Sequence, residues 1–140
     1  MTAVYRNHGI DLQYPENWVL SEVEALPGSP QLLIEAPDGS MLTLVFRERG
    51  TDCKLLADEL VEIMAQEFPD LESIAAEEEL QGVTGAGFDC EVFYLDLLVS
   101  AWVRVFAGRN QVIGVLAQAE SRDFARHHLV FKAIVASALR

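Results

Sequence analysis

The chain has 140 residues, a length that fits a single domain spanning residues 1–140. Hydrophobic residues make up 51% and charged residues 23%, so the chain can bury a core and is not a disordered tail. Lys and Arg number 10 against 22 Asp and Glu, which gives a net charge of −12 at pH 7. Nucleic acids and anionic membranes attract basic surfaces, so neither is an expected partner.

The targeting signals and cysteines set an expectation for the compartment. No apolar stretch of a secretory signal follows the first residues, and the most apolar run, residues 92–107, is interrupted by Asp96 and Arg104. Cys53 and Cys90 are far apart and form no C-x-x-C motif, so we expect two buried, reduced thiols rather than a disulfide. A cytoplasmic protein is therefore expected.

The first third of the chain has the pattern of an antiparallel meander. Residues 10–14 alternate apolar and polar, which predicts a half-buried strand. A turn is predicted at residues 27–30, which contain two prolines and a glycine. Residues 32–36 and 41–47 then predict a hairpin, with a turn at residues 37–40 whose glycine can adopt positive φ.

The middle of the chain changes to a helical period. Thr51 or Asp52 can cap a helix, and Pro69 ends it. The apolar residues that recur on one face of this helix are Leu56, Leu60, Ile63 and Met64. Residues 74–80 alternate apolar residues with acids, which predicts an edge strand.

Three long strands and a helix are predicted to close the fold. The strands cover residues 88–99, 101–107 and 111–119. Ser121 is a candidate N-cap for a final helix over residues 122–139.

The pattern at residues 92–95 and 97–99 indicates the architecture, because both faces of these strands are apolar. An antiparallel sheet with one solvated face would alternate apolar and polar residues. We therefore expect both faces to be covered. The sequence predicts an α+β fold, an α/β/α sandwich with a central, mostly antiparallel sheet and a C-terminal helix.

Three glycines, Gly82, Gly85 and Gly87, are predicted to occupy turn positions and invite comparison with a phosphate-binding loop. Such loops follow a strand and open a helix, whose N-terminus supplies the N–H donors. Here the glycines precede a strand. A loop or bulge where two backbones approach closely is the expected role.

No combination of residues indicates catalysis, a cofactor or a metal. His127 and His128 are adjacent on a predicted helix and point about 100° apart, so they cannot chelate one ion together. Asp123 lies four residues before His127, which predicts a surface ion pair. Cys53 and Cys90 lack a neighbouring base in the sequence, so neither is an expected nucleophile. We expect a non-catalytic protein.

Alternation places Trp102, Arg104 and Phe106 on one strand face. Two aromatic residues around an arginine are typical of a binding hot spot. The same stripe is also typical of a strand beneath a helix, with the arginine extending to the edge. Both interpretations stay open, and the three residues are candidates for an interaction surface.

Acidic clusters give further candidates for that surface. Glu77, Glu78 and Glu79 are consecutive, and they form either a solvated face or a docking surface for a basic partner. The other acidic clusters are Glu22 with Glu24, and Asp58 with Glu59 and Glu62.

One segment has a recognisable pattern, and it reads His8-Gly9-Ile10-Asp11-Leu12-Gln13-Tyr14-Pro15-Glu16-Asn17-Trp18. This segment resembles the Tyr-Pro-x-x-Trp opening of PsbP-like domains, the fold of the extrinsic PsbP protein of photosystem II and of a yeast Ran-binding protein. The order of the predicted elements agrees over nearly the whole chain. The resemblance implies an α/β/α sandwich in a family whose members mostly bind proteins, namely a GTPase, a photosystem or the effectors of a secretion system.

These observations predict a non-catalytic, cytoplasmic protein-interaction module, an adaptor or chaperone-like protein that binds a protein partner. The alternative is a small-ligand binding protein with an apolar pocket between sheet and helix. Its wall residues would include Trp18, Trp102 and Tyr94. A structural subunit of a homodimer is a third hypothesis.

Overall fold

The computed structural model describes residues 1–26 and 29–140. Nine strands in these described residues form two antiparallel sheets, a separate hairpin of β1 and β2 and a seven-stranded sheet in the order β3-β4-β5-β9-β8-β7-β6. The strands are β1 (Thr2–Asn7), β2 (Ile10–Pro15), β3 (Val19–Leu26), β4 (Ser29–Glu35), β5 (Met41–Glu48), β6 (Glu72–Leu80), β7 (Val83–Tyr94), β8 (Leu97–Ala107) and β9 (Gln111–Glu120).

Helix α1 (Cys53–Glu67) covers one face of the large sheet, over β7, β8 and β9. The carboxylate of Asp52 caps it and accepts hydrogen bonds from the backbone N–H groups of Lys54 at 3.0 Å and Leu55 at 3.1 Å. The predicted helix and its end before Pro69 are confirmed. Ile63 is 53% exposed, however, because it lies outside the buried stripe.

Helix α2 (Ser121–Leu139) packs on the other face and follows directly from β9. The predicted N-cap at Ser121 is wrong, because Glu120 takes the N-cap position without a side-chain hydrogen bond. The Ser121 hydroxyl instead lies 2.6 Å from that of Ser100 on β8. Within the described residues, neither helix has the length and apolar character needed to cross a bilayer.

The β1–β2 hairpin packs beside α2 on the same face of the large sheet. The hydroxyl of Ser137 in α2 accepts a hydrogen bond from the backbone N–H of Gln13 in β2 at 2.9 Å. Trp18, which follows the hairpin, is buried against His127 and Phe131 of α2. The predicted strand at residues 10–14 is confirmed as β2.

Each face of the large sheet has its own hydrophobic core. The α2 side is filled around Trp102, Phe106 and Phe131, and the α1 side around Leu56 and Val103. The α+β class and the α/β/α sandwich around an antiparallel sheet are therefore confirmed.

Several predicted boundaries differ from the structure. The long strands end at Tyr94 and begin again at Leu97, so the hairpin turn lies at residues 95–96 rather than near residue 100. The predicted turn at residues 27–30 includes residues 27 and 28, which lie outside the described residues, and Ser29 begins β4. The sequence pattern also missed β1 and β3.

Candidate interaction surface

The stripe of Trp102, Arg104 and Phe106 lies beneath α2, where the three residues are only 1%, 4% and 0% exposed. The packing interpretation of this stripe is therefore the one that the structure shows. Arg104 does not extend to the edge of the sheet as expected. Because all three side chains are buried, they offer no surface to a partner. The prediction that they belong to an interaction surface is therefore wrong.

Each nitrogen of the buried Arg104 guanidinium group donates one hydrogen bond. Its Nε donates to Glu78 Oε1 at 2.7 Å, and its Nη2 donates to Asp89 Oδ1 at 2.9 Å. Its Nη1 donates to the carbonyl oxygen of Val103 at 2.8 Å. Burying a charge without such partners is strongly unfavourable, so these contacts are what allow an arginine in the core.

Glu78 links the edge strand β6 to both β8 and α2. Its Oε1 accepts a second hydrogen bond from the indole N–H of Trp102 at 2.6 Å, and its Oε2 lies 3.1 Å from Lys132 Nζ. Burial alone would raise the pKa of Glu78, but the hydrogen bonds from Trp102 and Lys132 and the charge of Arg104 lower it overall. Glu78 is therefore ionised at neutral pH and holds α2 to the sheet.

The glycines of β7 make room for this packing. A Cβ atom at Gly85 would lie 2.3 Å from the ring of Phe106, and one at Gly87 would lie 1.9 Å from the carbonyl oxygen of Val103. Of the three glycines predicted to lie in turns, Gly82 alone does so, with φ of 75°. The predicted turn role of Gly85 and Gly87 is wrong, whereas the expected close approach of neighbouring groups is confirmed.

The two adjacent histidines point in different directions. His127 Nε2 lies 2.7 Å from Asp38 Oδ2 in the β4–β5 turn, and this contact takes the place of the predicted ion pair with Asp123. His128 packs edge-on against Trp102, with ring centroids 5.4 Å apart. In the part of the chain that the structure describes, no group of three or more potential ligands could hold a metal ion.

Both cysteines are free, Cys90 buried and Cys53 half-buried. Burial, followed by the charge of Asp89, raises the pKa of Cys90 to about 11. Burial and the charge of Asp52 also raise the pKa of Cys53. Each thiol is therefore protonated at neutral pH, which makes it a poor nucleophile.

The three consecutive glutamates do not form one surface. Glu77 and Glu79 are exposed on the α1 side of β6, whereas Glu78 points to the α2 side and is paired there. Alternation along a strand explains the division. In the cluster at Glu22 and Glu24, the side chain of Glu24 lies outside the described residues.

The residues suggested as walls of a ligand pocket do not face one cavity. Trp18 and Trp102 belong to the filled core on the α2 side. Tyr94 is 52% exposed and packs against Phe68 at the end of α1. A cavity of about 80 Å³ lies elsewhere, between the turns at residues 8–9 and 108–110 and the end of α2.

The most exposed apolar group of the described residues is the tip of the β7–β8 hairpin. Phe93, Tyr94, Leu95 and Leu97 are 74%, 52%, 79% and 48% exposed. We call these four residues the hairpin tip. The sequence analysis predicts that residues 92–95 and 97–99 are covered on both faces, and this prediction is wrong for the four residues of the hairpin tip. Their apolar side chains lie where the hairpin projects beyond the covering helices. Large exposed apolar patches are typical of interaction sites, which makes the hairpin tip the candidate surface.

The turn of the hairpin tip has an unusual composition. Leu95 and Asp96 have φ of 50° and 66°, the pair of positive values of a type I′ turn. The turns at residues 8–9 and 81–82 have the same pair of positive values, and each has glycine at its second position. A leucine at positive φ costs roughly 1–2 kcal/mol relative to a right-handed conformation. The hairpin tip thus keeps an exposed apolar side chain at the expense of local stability.

The net charge of the molecule is concentrated in the segment of the chain that contains this tip. Residues 55–103, which include most of α1, all of β6 and β7 and the tip, contain 12 of the 22 acids and none of the 10 Lys and Arg residues. The rest of the chain is balanced, with 10 acids and 10 bases. The whole net charge therefore comes from the segment that carries the exposed apolar tip.

The architecture defines the class of protein, which has a PsbP-like fold. The structure is similar to the solution structure of the cyanobacterial PsbP protein of Synechocystis, with a TM-score of 0.68 and 15% identity over 97% of this chain and 90% of that one. It is also similar to a protein of unknown function from Pseudomonas aeruginosa, with a TM-score of 0.51 and 13% identity over 99% and 96%.

These structural similarities confirm the fold implied by the Tyr-Pro-x-x-Trp segment. No family model matches the chain, and no curated protein matches it by sequence.

Proposed function

We propose that the protein is a non-catalytic protein-interaction module, adaptor or chaperone-like, which contacts its partner through the hairpin tip. One observation carries the proposal. Four large apolar side chains are exposed together at a turn whose two central residues have positive φ, a conformation that strains Leu95. A turn selected for stability alone would contain Asn-Gly or Asp-Gly.

The charge of the segment that contains the tip supports a protein as the partner. An anionic membrane would be repelled by the acids of residues 55–103, and so would a nucleic acid. A protein with an apolar depression and a basic rim matches both properties of this surface. The resemblance to PsbP-like domains also supports protein binding, because the members of that family mostly bind proteins.

The small-ligand alternative has less support. Pockets that bind drug-sized ligands usually enclose about 300–1,000 Å³. The cavity near the end of α2 has a volume of about 80 Å³, and the suggested wall residues do not line it.

A variant that improves the turn while removing its apolar side chain tests the proposal. In Leu95→Asn with Asp96→Gly, the turn gains the composition favoured at two positive φ values, so loss of folding does not explain a loss of binding. The tagged protein and this variant would be used for co-purification from cells of the source organism. The matched control is Leu55→Gln, which removes an apolar side chain that is 65% exposed on α1.

The expected result is one stoichiometric partner that the native protein and Leu55→Gln retain and that the hairpin-tip variant loses. A partner that all three proteins retain equally would contradict the role of the tip. If the captured partner is a second copy of this chain, sedimentation at several concentrations will show a dimer that the tip variant lacks, and the homodimer hypothesis replaces the adaptor.

A further inference from the structure

Within residues 1–26 and 29–140, one part of the large sheet has no covering element, and we propose that it receives a basic amphipathic helix of the partner protein, lying beside α2. The surface consists of Glu72 and Ile74 of β6 and Asp89, Glu91 and Phe93 of β7. We call these five residues the β6–β7 floor. The inference rests on the proposed function, since the floor continues into the hairpin tip at Phe93.

The strand register places the floor on the α2 side of the sheet. Ile74 pairs with Asp89, which pairs with Trp102, and Trp102 lies under α2. Glu72 pairs with Glu91 in the next row of the same face. α2 covers this face over β8 and β9 and reaches β6 near Glu78, so the rows closer to the hairpin tip are left open.

Exposure confirms that this face is open. Ile74 and Phe93 are each 74% exposed, and the side chain of Asp89 is 62% exposed although it accepts a hydrogen bond from Arg104. Where α2 covers the sheet, the equivalent position Trp102 is 1% exposed. The change occurs between two neighbouring strands of one sheet.

The dimensions of the floor fit one helix. Two strands are about 10 Å wide, which equals the usual distance between packed helix axes of about 8–10 Å. From Asp89 to Phe93 the strand extends about 13 Å, or about two and a half helical turns. A helix in this position would complete the layer that α2 begins. Leu129, one turn before Lys132 on the flank of α2 near β6, is 78% exposed and would form the wall.

The chemistry of the floor selects a basic helix. Glu72 and Glu91 are directly opposite one another on neighbouring strands, an arrangement of like charges that destabilises a sheet. The nearby cations Arg104 and Lys132 are already paired with Glu78. A helix with Lys or Arg beside an apolar stripe would neutralise the opposed carboxylates and cover Ile74 and Phe93.

The probe is a fluorescein-labelled peptide of about 18 residues, long enough to form a helix, with a leucine stripe at positions i, i+3, i+4 and i+7 flanked by lysines. Fluorescence anisotropy measures its binding to the native protein at pH 7. A second peptide with Glu in place of Lys measures how much of the binding depends on charge.

Two double variants with the same change of charge separate the floor from general attraction to an acidic protein. Glu72→Lys with Glu91→Lys reverses the charge of the floor, and the opposed pair remains a pair of like charges. Glu77→Lys with Glu79→Lys reverses two exposed charges on the other face of β6. We expect the floor variant to weaken binding of the Lys peptide about tenfold or more and the control variant less than about threefold. Circular dichroism should show that the peptide gains helix when it binds the native protein.

Three results would overturn the inference: no binding of the Lys peptide, equal weakening by both double variants, or binding without a gain of helix. The same variants in co-purification separate this inference from the proposed function. If the floor variant keeps the partner that Leu95→Asn with Asp96→Gly loses, the helix site is wrong and the hairpin tip remains the interaction site. If that hairpin-tip variant keeps the partner, the proposed function is wrong.

Discussion

The backbone at Gly87 leaves no space for a side chain. A Cβ atom there would lie 1.9 Å from the carbonyl oxygen of Val103 and 2.7 Å from its carbonyl carbon. Because these are backbone atoms of the paired strand, they cannot move without separating β7 from β8. We expect Gly87→Ala to lower the free energy of unfolding by about 2–3 kcal/mol, measured by urea denaturation at pH 7.

Thr84→Ala is the control for this measurement, since Thr84 is exposed on the same strand. Its effect should stay within about 0.5 kcal/mol. If Gly87→Ala also changes the free energy of unfolding by no more than about 0.5 kcal/mol, β7 and β8 separate easily at this position.

The environment of Arg104 shows the limit of sequence patterns at this scale. Alternation correctly places Trp102, Arg104 and Phe106 on one face, because that depends only on the strand period. Whether the face is covered depends on α2, which is distant in sequence. The partner Glu78 likewise appears in the sequence as one member of a solvated run, and only the sheet register brings it to Arg104.

The second prediction at the residue scale concerns His128. Burial, followed by the charge of Lys132, lowers its pKa from the ordinary value of 6.5. The unfolded chain therefore takes up a proton at higher pH than the folded one, and the free energy of unfolding falls as the pH drops below about 6.5. We expect His128→Gln to remove most of this loss between about pH 7 and pH 5, measured by urea denaturation at each pH.

Two carboxylates provide an internal control for the pH series. Hydrogen bonding to the backbone of Ser40, with a contribution from His127, lowers the pKa of Asp38 to about 2. The pKa of Glu78 is lowered from 4.5. The stability that these carboxylates contribute is fully present above the pKa values that they have in the unfolded chain. It is lost only as the pH falls through their pKa values in the folded protein, so His128→Gln should still lose stability below about pH 4.5. Parallel native and variant curves from pH 7 to 5 would contradict the assignment to His128.

Among the elements, the ones that were predicted correctly have local signals. The β4–β5 turn contains Gly39 at φ of 91°, and α1 has both its cap at Asp52 and a buried apolar stripe. Strands β1 and β3 lack such signals, because they expose apolar residues such as Val4 and Val19. Pairing with a neighbouring strand holds them in place, and a local pattern does not contain that information.

The hairpin tip is the element that the sequence pattern interpreted incorrectly. An apolar run on both faces of a strand predicts burial, and the same run also occurs where a hairpin projects beyond the sheet. The pattern cannot separate the two, because both place large apolar residues at consecutive positions. The turn residues Leu95 and Asp96 also carry no glycine that would mark the end of the strand.

The third prediction concerns this turn. Leu95→Asn with Asp96→Gly should raise the free energy of unfolding by about 0.5–1 kcal/mol, because both new residues adopt positive φ more readily. Urea denaturation of the variant and the native protein measures the difference. Leu95→Val is the opposite control, since a β-branched residue at positive φ should destabilise the hairpin. A stabilised Leu95→Val variant would show that the turn changes conformation when it is substituted.

At the scale of the whole molecule, charge is the dominant asymmetry. Residues 55–103 carry a charge equal to the whole net charge of −12, on α1, β6, β7 and the connections that contain Asp70 and Asp96. Acids at this density repel one another and oppose the folded state. The ion pairs of Glu78 with Arg104 and Lys132 offset part of this repulsion by bringing cations from outside the segment. The remainder is relieved by salt or by a basic partner.

The fourth prediction follows from this repulsion. Salt shortens the range of electrostatic forces from about 30 Å at 0.01 M to about 10 Å at 0.1 M. We expect the Tm at pH 7 to rise by about 2–5 °C over this range of NaCl, because the repulsion is weakened more than the buried ion pairs.

Glu59→Lys with Glu62→Lys, on the exposed side of α1, should reduce the rise. Glu16→Lys with Glu48→Lys makes the same change of charge in the balanced part of the chain and should reduce it less. General effects of salt on apolar surface act equally on the two variants, so the difference between them isolates the acidic segment. Equal responses would mean that the net charge acts as a whole, without regard to its position.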